Sequence, residues 1–116
     1  MADKLSTIVL RMAMSLMKDP QGTPSPAATY VGLLLAHVAW NREVEGDAAL
    51  PASEYQPSLQ KFQSEDPTVV TSLKSTNWEL LIGELRLYKK ANYPDDKRII
   101  GEIAINERGN VQVTWH

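Results

Sequence analysis

The sequence predicts an α+β domain in which three to four helices pack around a central apolar helix and a C-terminal antiparallel β-hairpin closes the fold. Residues 27–40 are apolar on nearly every face of a helix, which is typical of a helix at the centre of a domain. After residue 98 the helical periodicity gives way to strict alternation around a turn sequence. The length of 116 residues predicts a single domain, residues 1–116.

The first predicted helix begins after Asp3, a residue type that caps free amides, and continues to about Met17. Its apolar residues recur at helical spacing: Leu5, Ile8, Val9, Met12 and Leu16. Residues 18–26 contain three prolines and a glycine, so they predict a connecting loop.

The second predicted helix begins at Ser25 and Pro26 and ends near Glu43, before Gly46. Serine caps the free amides of a first turn, and proline fits that turn without losing a needed donor. This helix is the central one.

The polar, proline-containing stretch 45–57 predicts a long loop, with a single helical turn around residues 57–62. Asp66 and Pro67 repeat the cap-then-proline signal, which leaves a short helix over residues 68–74 as one interpretation. Because this segment is rich in β-branched residues, a strand is the alternative.

Asn77 is predicted to cap a further helix that ends at the turn sequence 93–96, with Lys89 and Lys90 in its last turn. Its buried stripe is expected to consist of Trp78, Leu81, Ile82, Leu85 and Tyr88.

Residues 99–105 and 111–115 alternate as two strands of a hairpin, and the four-residue connection ends in Gly109, which is expected to be left-handed. The apolar face is expected to rest on the helix 78–91, its neighbour in sequence. That face comprises Ile103, Ile105, Val111, Val113 and Trp115.

A hairpin leaves unpaired strand edges, and natural proteins guard such edges with charged residues or prolines. Only Glu102 is charged in the first strand, and the second strand has no charged residue. We therefore expect one edge to be paired, either by a strand at residues 68–72 or by another molecule. The predicted contact is with a protein partner or with a second copy of the chain, through a hairpin edge.

The composition excludes several classes of protein. The chain has no cysteine, which removes disulfides, thiolate catalysis and zinc fingers. The first apolar run, residues 8–10, is followed directly by Arg11, so a secretory signal is not expected and the predicted location is cytoplasmic. A net charge of −2 argues against general nucleic-acid binding, and the apolar stretch 27–40 is too short to cross a membrane. No motif for a cofactor or a metal is present, so neither is expected.

One segment interleaves cationic and aromatic residues, a combination that suits an acidic partner surface or single-stranded nucleic acid. The candidate interaction residues are Arg86, Lys89, Lys90, Tyr93, Lys97 and Arg98. The competing interpretation is structural, because cations at a helix C-terminus stabilise the helix dipole.

His37 and Asn41 lie one helical turn apart and form the alternative candidate site, a general base oriented by a polar neighbour. The competing interpretation is a helix histidine whose hydrogen bond is satisfied within the core. No serine or cysteine nucleophile is linked to this pair by spacing. Trp40, Trp78 and Trp115 are expected to anchor the core.

These observations favour a small protein-interaction domain, such as an adaptor, an inhibitor or an immunity-type protein, that acts by surface binding without catalysis. The first alternative is a small enzyme or ligand-binding domain that uses His37 and Asn41. The second is a nucleic-acid-associated regulator that uses the basic segment between Arg86 and Arg98.

Overall fold

A computed structural model of the chain describes residues 4–19 and 25–116. The helices are α1 (Leu5–Ser15), α2 (Pro26–Glu45), α3 (Ala52–Glu65), α4 (Thr68–Ser72) and α5 (Trp78–Asn92), and the strands are β1 (Ile100–Ile105) and β2 (Val111–Trp115). The strands pair with each other in an antiparallel sheet. The predicted α+β class with a C-terminal hairpin is confirmed. None of the described helices is long and apolar enough to cross a bilayer.

Helix α2 lies at the centre and packs against the other helices and against β1. The hydroxyl of Ser25 accepts a hydrogen bond from the amide of Ala28 at 3.2 Å, and Pro26 occupies the first turn, as predicted. The helix ends at Gly46, which has a positive φ of 111°. The local start and stop signals of the central helix are therefore confirmed.

Helices α1 and α2 approach each other closely at Gly32. A Cβ atom at this glycine would lie 2.9 Å from the Cβ of Ala13, so only glycine fits the crossing. Helix α1 ends at Ser15, two residues earlier than predicted, and Met17 pairs instead with Leu73 as an isolated bridge. The predicted cap Asp3 lies outside the described residues.

The prediction of a long loop at residues 45–57 is wrong, because α3 already begins at Ala52 and runs for 14 residues. Pro57 lies inside this helix, where it lacks the amide that would donate to the preceding turn. Packing outweighs this cost, since Tyr55 and Leu59 are fully buried and Phe62 packs at the edge of the core. Their spacing of one helical turn is the signal that the composition obscured.

Residues 68–72 form helix α4, so of the two interpretations of this segment the helix is correct, and the alternative in which it pairs with the hairpin as a strand is wrong. The Asp66 carboxylate explains the outcome, because it accepts hydrogen bonds from the amide and the hydroxyl of Thr68 at 2.9 and 2.6 Å. These bonds hold the first turn in a helical conformation. Val69 is buried beneath it.

The helix predicted after Asn77 is confirmed as α5, since the Asn77 side chain accepts from the amide of Leu80 at 3.2 Å. The stripe is buried at Leu81, Ile82 and Leu85, and it packs against α2. The hairpin does not rest on this helix, contrary to the prediction. Instead β1 lies against α2 and β2 against α1.

The hairpin turn forms as its sequence predicts. Gly109 has φ +82°, and its amide donates to the carbonyl of Asn106 at 2.9 Å. The Asn106 side chain also accepts from the amides of Arg108 and Asn110, each at 2.9 Å. Turn and side chain together fix the register that places Ile105 opposite Val111.

A bulge between Ile100 and Glu102 interrupts the alternation of β1. In a regular strand, residues 100 and 103 would point to opposite faces of the sheet. The extra residue of the bulge brings Ile100 onto the same inward face as Ile103, where Ile100 is buried. The end of β2 is not covered, so Trp115 remains 53% exposed. Its predicted role as a core anchor is wrong, whereas Trp40 is fully buried.

Candidate functional site

The two residues of the alternative site converge on one peptide group of β1. The side-chain amide of Asn41 donates to the carbonyl oxygen of Ile100 at 2.8 Å and accepts from the Ile100 amide at 2.9 Å. Nε2 of His37 lies 3.2 Å from the same carbonyl oxygen, which can only accept, so this nitrogen carries the proton. Both side chains therefore fasten the hairpin to α2.

A pocket of about 160 Å³ opens beside this junction, between α2, α3 and β1. It is lined by Tyr30, Leu33, Leu34, His37, Ser58, Phe62 and Ile103. The rings of Tyr30 and Phe62 stack in one wall with centroids 5.6 Å apart. Burial lowers the pKa of His37, and its bond to Ile100 acts in the opposite direction. Asn41 does not line the pocket, so the predicted pair is not presented together to a ligand.

The predicted basic segment does not form one exposed cationic surface. Arg86 is paired with Glu43 at 2.5 Å and with Asp47 at 2.8 Å. Lys90 lies 3.5 Å from the same Glu43 carboxylate. These pairs join the end of α5 to the end of α2, where opposite charges compensate each other.

Lys89 has a different environment, because it is only 3% exposed. Its Nζ donates to the carbonyl oxygens of Tyr93 and Asp96 at 3.0 and 2.9 Å and lies 4.4 Å from the ring centroid of Trp40. Burial lowers the pKa of Lys89, whereas the charge of Asp96 raises it. The ammonium group thus closes the C-terminal end of α5 and fixes the following turn.

Arg98 and Tyr93 complete the segment. Arg98 is paired with Asp96 at 2.5 Å, and its guanidinium lies 5.2 Å from the ring centroid of Trp115. The hydrogen bonds from Arg98 lower the pKa of Asp96. Tyr93 packs on the ring of Trp40. Lys97 is exposed and takes no part in the contacts described for Arg98 and Tyr93.

Arg42 is the centre of a hydrogen-bond network that the sequence analysis did not predict. Arg42 donates to the carbonyls of Ala49 and Leu50 at 3.1 and 3.0 Å and to the carboxylate of Glu79 at 3.1 Å. The hydroxyl of Tyr55 donates to the same carboxylate, and this bond is the main cause of the lowered pKa of Glu79. The network ties α2, α3 and α5 together, and no local spacing could reveal it.

The outer face of α5 is also absent from the predictions. Leu80 and Leu87 are 52% and 65% exposed, and they lie two helical turns apart on one side of the helix. Gly83 lies between them, and a Cβ atom there would meet no other atom within 4 Å. The repeat of leucine at this spacing was the available signal.

Comparisons with protein-family models, with curated proteins and with solved structures gave no match. Within residues 4–19 and 25–116, no three side chains of histidine, aspartate or glutamate are grouped so that they could hold a metal ion.

Proposed function

We propose that this chain is a small protein-interaction domain, of the adaptor, inhibitor or immunity type, that binds a partner protein through the outer face of α5 without catalysis. The observation that carries the proposal is the exposure of Leu80 and Leu87 on one face of a regular, well-packed helix. Burial of apolar surface contributes about 25 cal/mol per Å², so a partner that covers both side chains gains affinity.

Gly83 supports the same face. Glycine within a helix costs about 0.5 to 1 kcal/mol relative to alanine, and no packing within the described chain requires it at this position. A partner helix that approaches α5 closely between Leu80 and Leu87 supplies such a requirement, because it needs a position without a side chain.

The alternatives receive less support from the geometry. His37 and Asn41 both bind the Ile100 peptide, as an anchor of the hairpin does. Arg86, Lys90 and Arg98 bind carboxylates of the chain itself, so less of their positive charge is available to bind the phosphates of a nucleic acid. Two further parts of the proposal are a cytoplasmic location and self-association through a hairpin edge.

The test is capture of partners from the native cell extract by three immobilised proteins: the wild type, the double variant Leu80→Glu with Leu87→Glu, and the control Gln60→Glu. Gln60 is exposed on α3, so the control adds a charge to a distant surface. Binding of the captured partner is then measured with purified proteins.

We expect the double variant to weaken binding by about tenfold or more and the control to leave the dissociation constant nearly unchanged. If the double variant retains the same partner with the same affinity, the outer face of α5 is not the binding surface.

A further inference from the structure

The hydrogen bonds at the two ends of the hairpin determine which backbone groups of β2 face outwards. At the turn, the amide of Asn106 donates to the carbonyl of Asn110 at 2.9 Å. At the open end, Ile99 and His116 exchange two bonds of 2.7 and 2.9 Å. Bonded and non-bonded pairs alternate along an antiparallel ladder. The amides and carbonyls of Gln112 and Thr114 therefore face β1, and those of the residues between and beside them face away.

The two edges of the sheet are not equivalent. On β1, the outward-facing groups of Ile100 are bound by Asn41, and Ile103 faces the pocket beside α2 and α3. On β2, no hydrogen bond from the described residues outside the sheet reaches Val111, Val113 or Trp115. On β1, the outward-facing amides and carbonyls of Ile103 and Ile105 also lack a partner among the described residues, but Asn41 occupies the Ile100 end of that edge. All three outward-facing residues of β2 are unoccupied, so β2 offers the longer open edge.

We propose that two copies of this chain associate through β2, in an antiparallel pairing about a two-fold axis at Val113 that forms a continuous four-stranded sheet. In this register Val113 lies opposite Val113 of the second copy, and Val111 lies opposite Trp115. All of these residues present outward-facing amides and carbonyls, so each pair exchanges two hydrogen bonds without disturbing the hairpin. This inference specifies the self-association proposed above and is independent of the α5 face.

The side chains fit this register. Val111 and Trp115 form an aromatic and β-branched pair, a combination that stabilises sheets, and the pair covers the exposed indole ring. Gln112 lies opposite Thr114 on the outer face. Because β2 contains no charged residue, the pairing brings no like charges together. A two-fold axis uses the same edge on both copies and closes the assembly as a dimer.

The test is sedimentation equilibrium over a range of concentrations for the wild type, Val113→Pro and the control Val113→Thr. Proline at 113 removes an outward amide but none of the hydrogen bonds within the hairpin, whereas proline at 112 would break one. Threonine keeps the amide and the branched shape. We expect the wild type and the control to approach twice the monomer mass of 12.9 kDa and the proline variant to remain monomeric. Circular dichroism checks that the proline variant is folded.

Amide hydrogen exchange gives a second measurement, on the wild type alone. Protection of the amides of Val111, Val113 and Trp115 should increase with protein concentration, while protection of Gln112 and Thr114 should not. A wild type that stays monomeric up to about 1 mM overturns the proposal. So does association that survives in Val113→Pro or that disappears in the variant with Leu80→Glu and Leu87→Glu, since the second result assigns the contact to α5.

Discussion

The side-chain amide of Asn41 binds both the amide and the carbonyl of Ile100, in the way that a neighbouring strand would. A helix residue thereby completes the edge of β1 at the point where the strand is most deeply buried. Since His37 approaches the same carbonyl, the junction between α2 and the hairpin depends on one turn of the central helix.

The first prediction concerns Asn41→Leu, which keeps the approximate size of the side chain but leaves two buried backbone groups of Ile100 without partners. We expect the free energy of unfolding to fall by about 2 to 4 kcal/mol in urea denaturation. The control is Asn92→Leu at the exposed end of α5, which removes only a solvent-exposed hydrogen bond to the Tyr88 carbonyl and should change stability by no more than about 1 kcal/mol. Equal effects of the two substitutions would show that the junction contributes little.

The second prediction compares the adjacent lysines of α5. Lys89→Met removes two hydrogen bonds to carbonyls and the contact with the Trp40 ring, so a loss of about 1 to 3 kcal/mol is expected. Lys90→Met removes one ion pair, 3.5 Å long and made by an exposed lysine, while Glu43 keeps its bond to Arg86, so this variant should be nearly neutral. Thermal and urea denaturation of both variants measure the difference. A neutral Lys89→Met would contradict the role of its ammonium group in closing the helix.

The third prediction applies one substitution to two helical glycines. Gly32→Ala places a methyl group 2.9 Å from the Cβ of Ala13 and should destabilise the protein, because the backbones of α1 and α2 must separate. Gly83→Ala meets no neighbouring atom and should stabilise the protein by about 0.5 to 1 kcal/mol. Opposite signs in the change of melting temperature are expected. A Gly32→Ala variant that melts at or above the wild-type temperature would refute the close helix crossing.

The fourth prediction is a loss of stability on mild acidification that depends on His37. Burial lowers the pKa of His37 in the folded state, so as the pH falls below about 6.5 the unfolded chain binds a proton before the folded chain does. The free energy of unfolding therefore decreases as the pH falls through this range. The slope of unfolding free energy between about pH 7 and pH 5.5 should be smaller in His37→Gln, which retains polarity but does not titrate. Identical slopes would show that His37 titrates alike in both states.

Local signals predicted the parts of the fold that local chemistry determines. Ser25 and Asn77 cap helices because the side chain and the amide it binds lie three residues apart. Gly109 adopts the left-handed conformation that its turn requires. In contrast, α3 was not predicted because Pro57 is a residue that normally interrupts helices. The helix is favourable there only because Tyr55 and Leu59 are buried against residues distant in the sequence.

The candidate site was predictable in part for the same reason. Helical spacing placed His37 and Asn41 on one face, but their shared partner Ile100 belongs to another element and could not be found by periodicity. The basic segment does not form one continuous exposed surface, because Lys89 turns inward under Trp40. Charge in a sequence does not reveal whether a neutralising group from elsewhere in the chain lies beside it.

The packing of β2 on α1 joins the two ends of the described chain, and it has a consequence for the order of folding. Helix α1 ends at Ser15, whereas β2 begins at Val111, so this contact closes a loop that spans nearly all of the chain between them. Contacts of such long range slow folding, because the entropy of the intervening chain is lost before they form. During synthesis, the side of α1 that receives β2 stays uncovered until β2 leaves the ribosome, and the helices are expected to assemble before the hairpin docks.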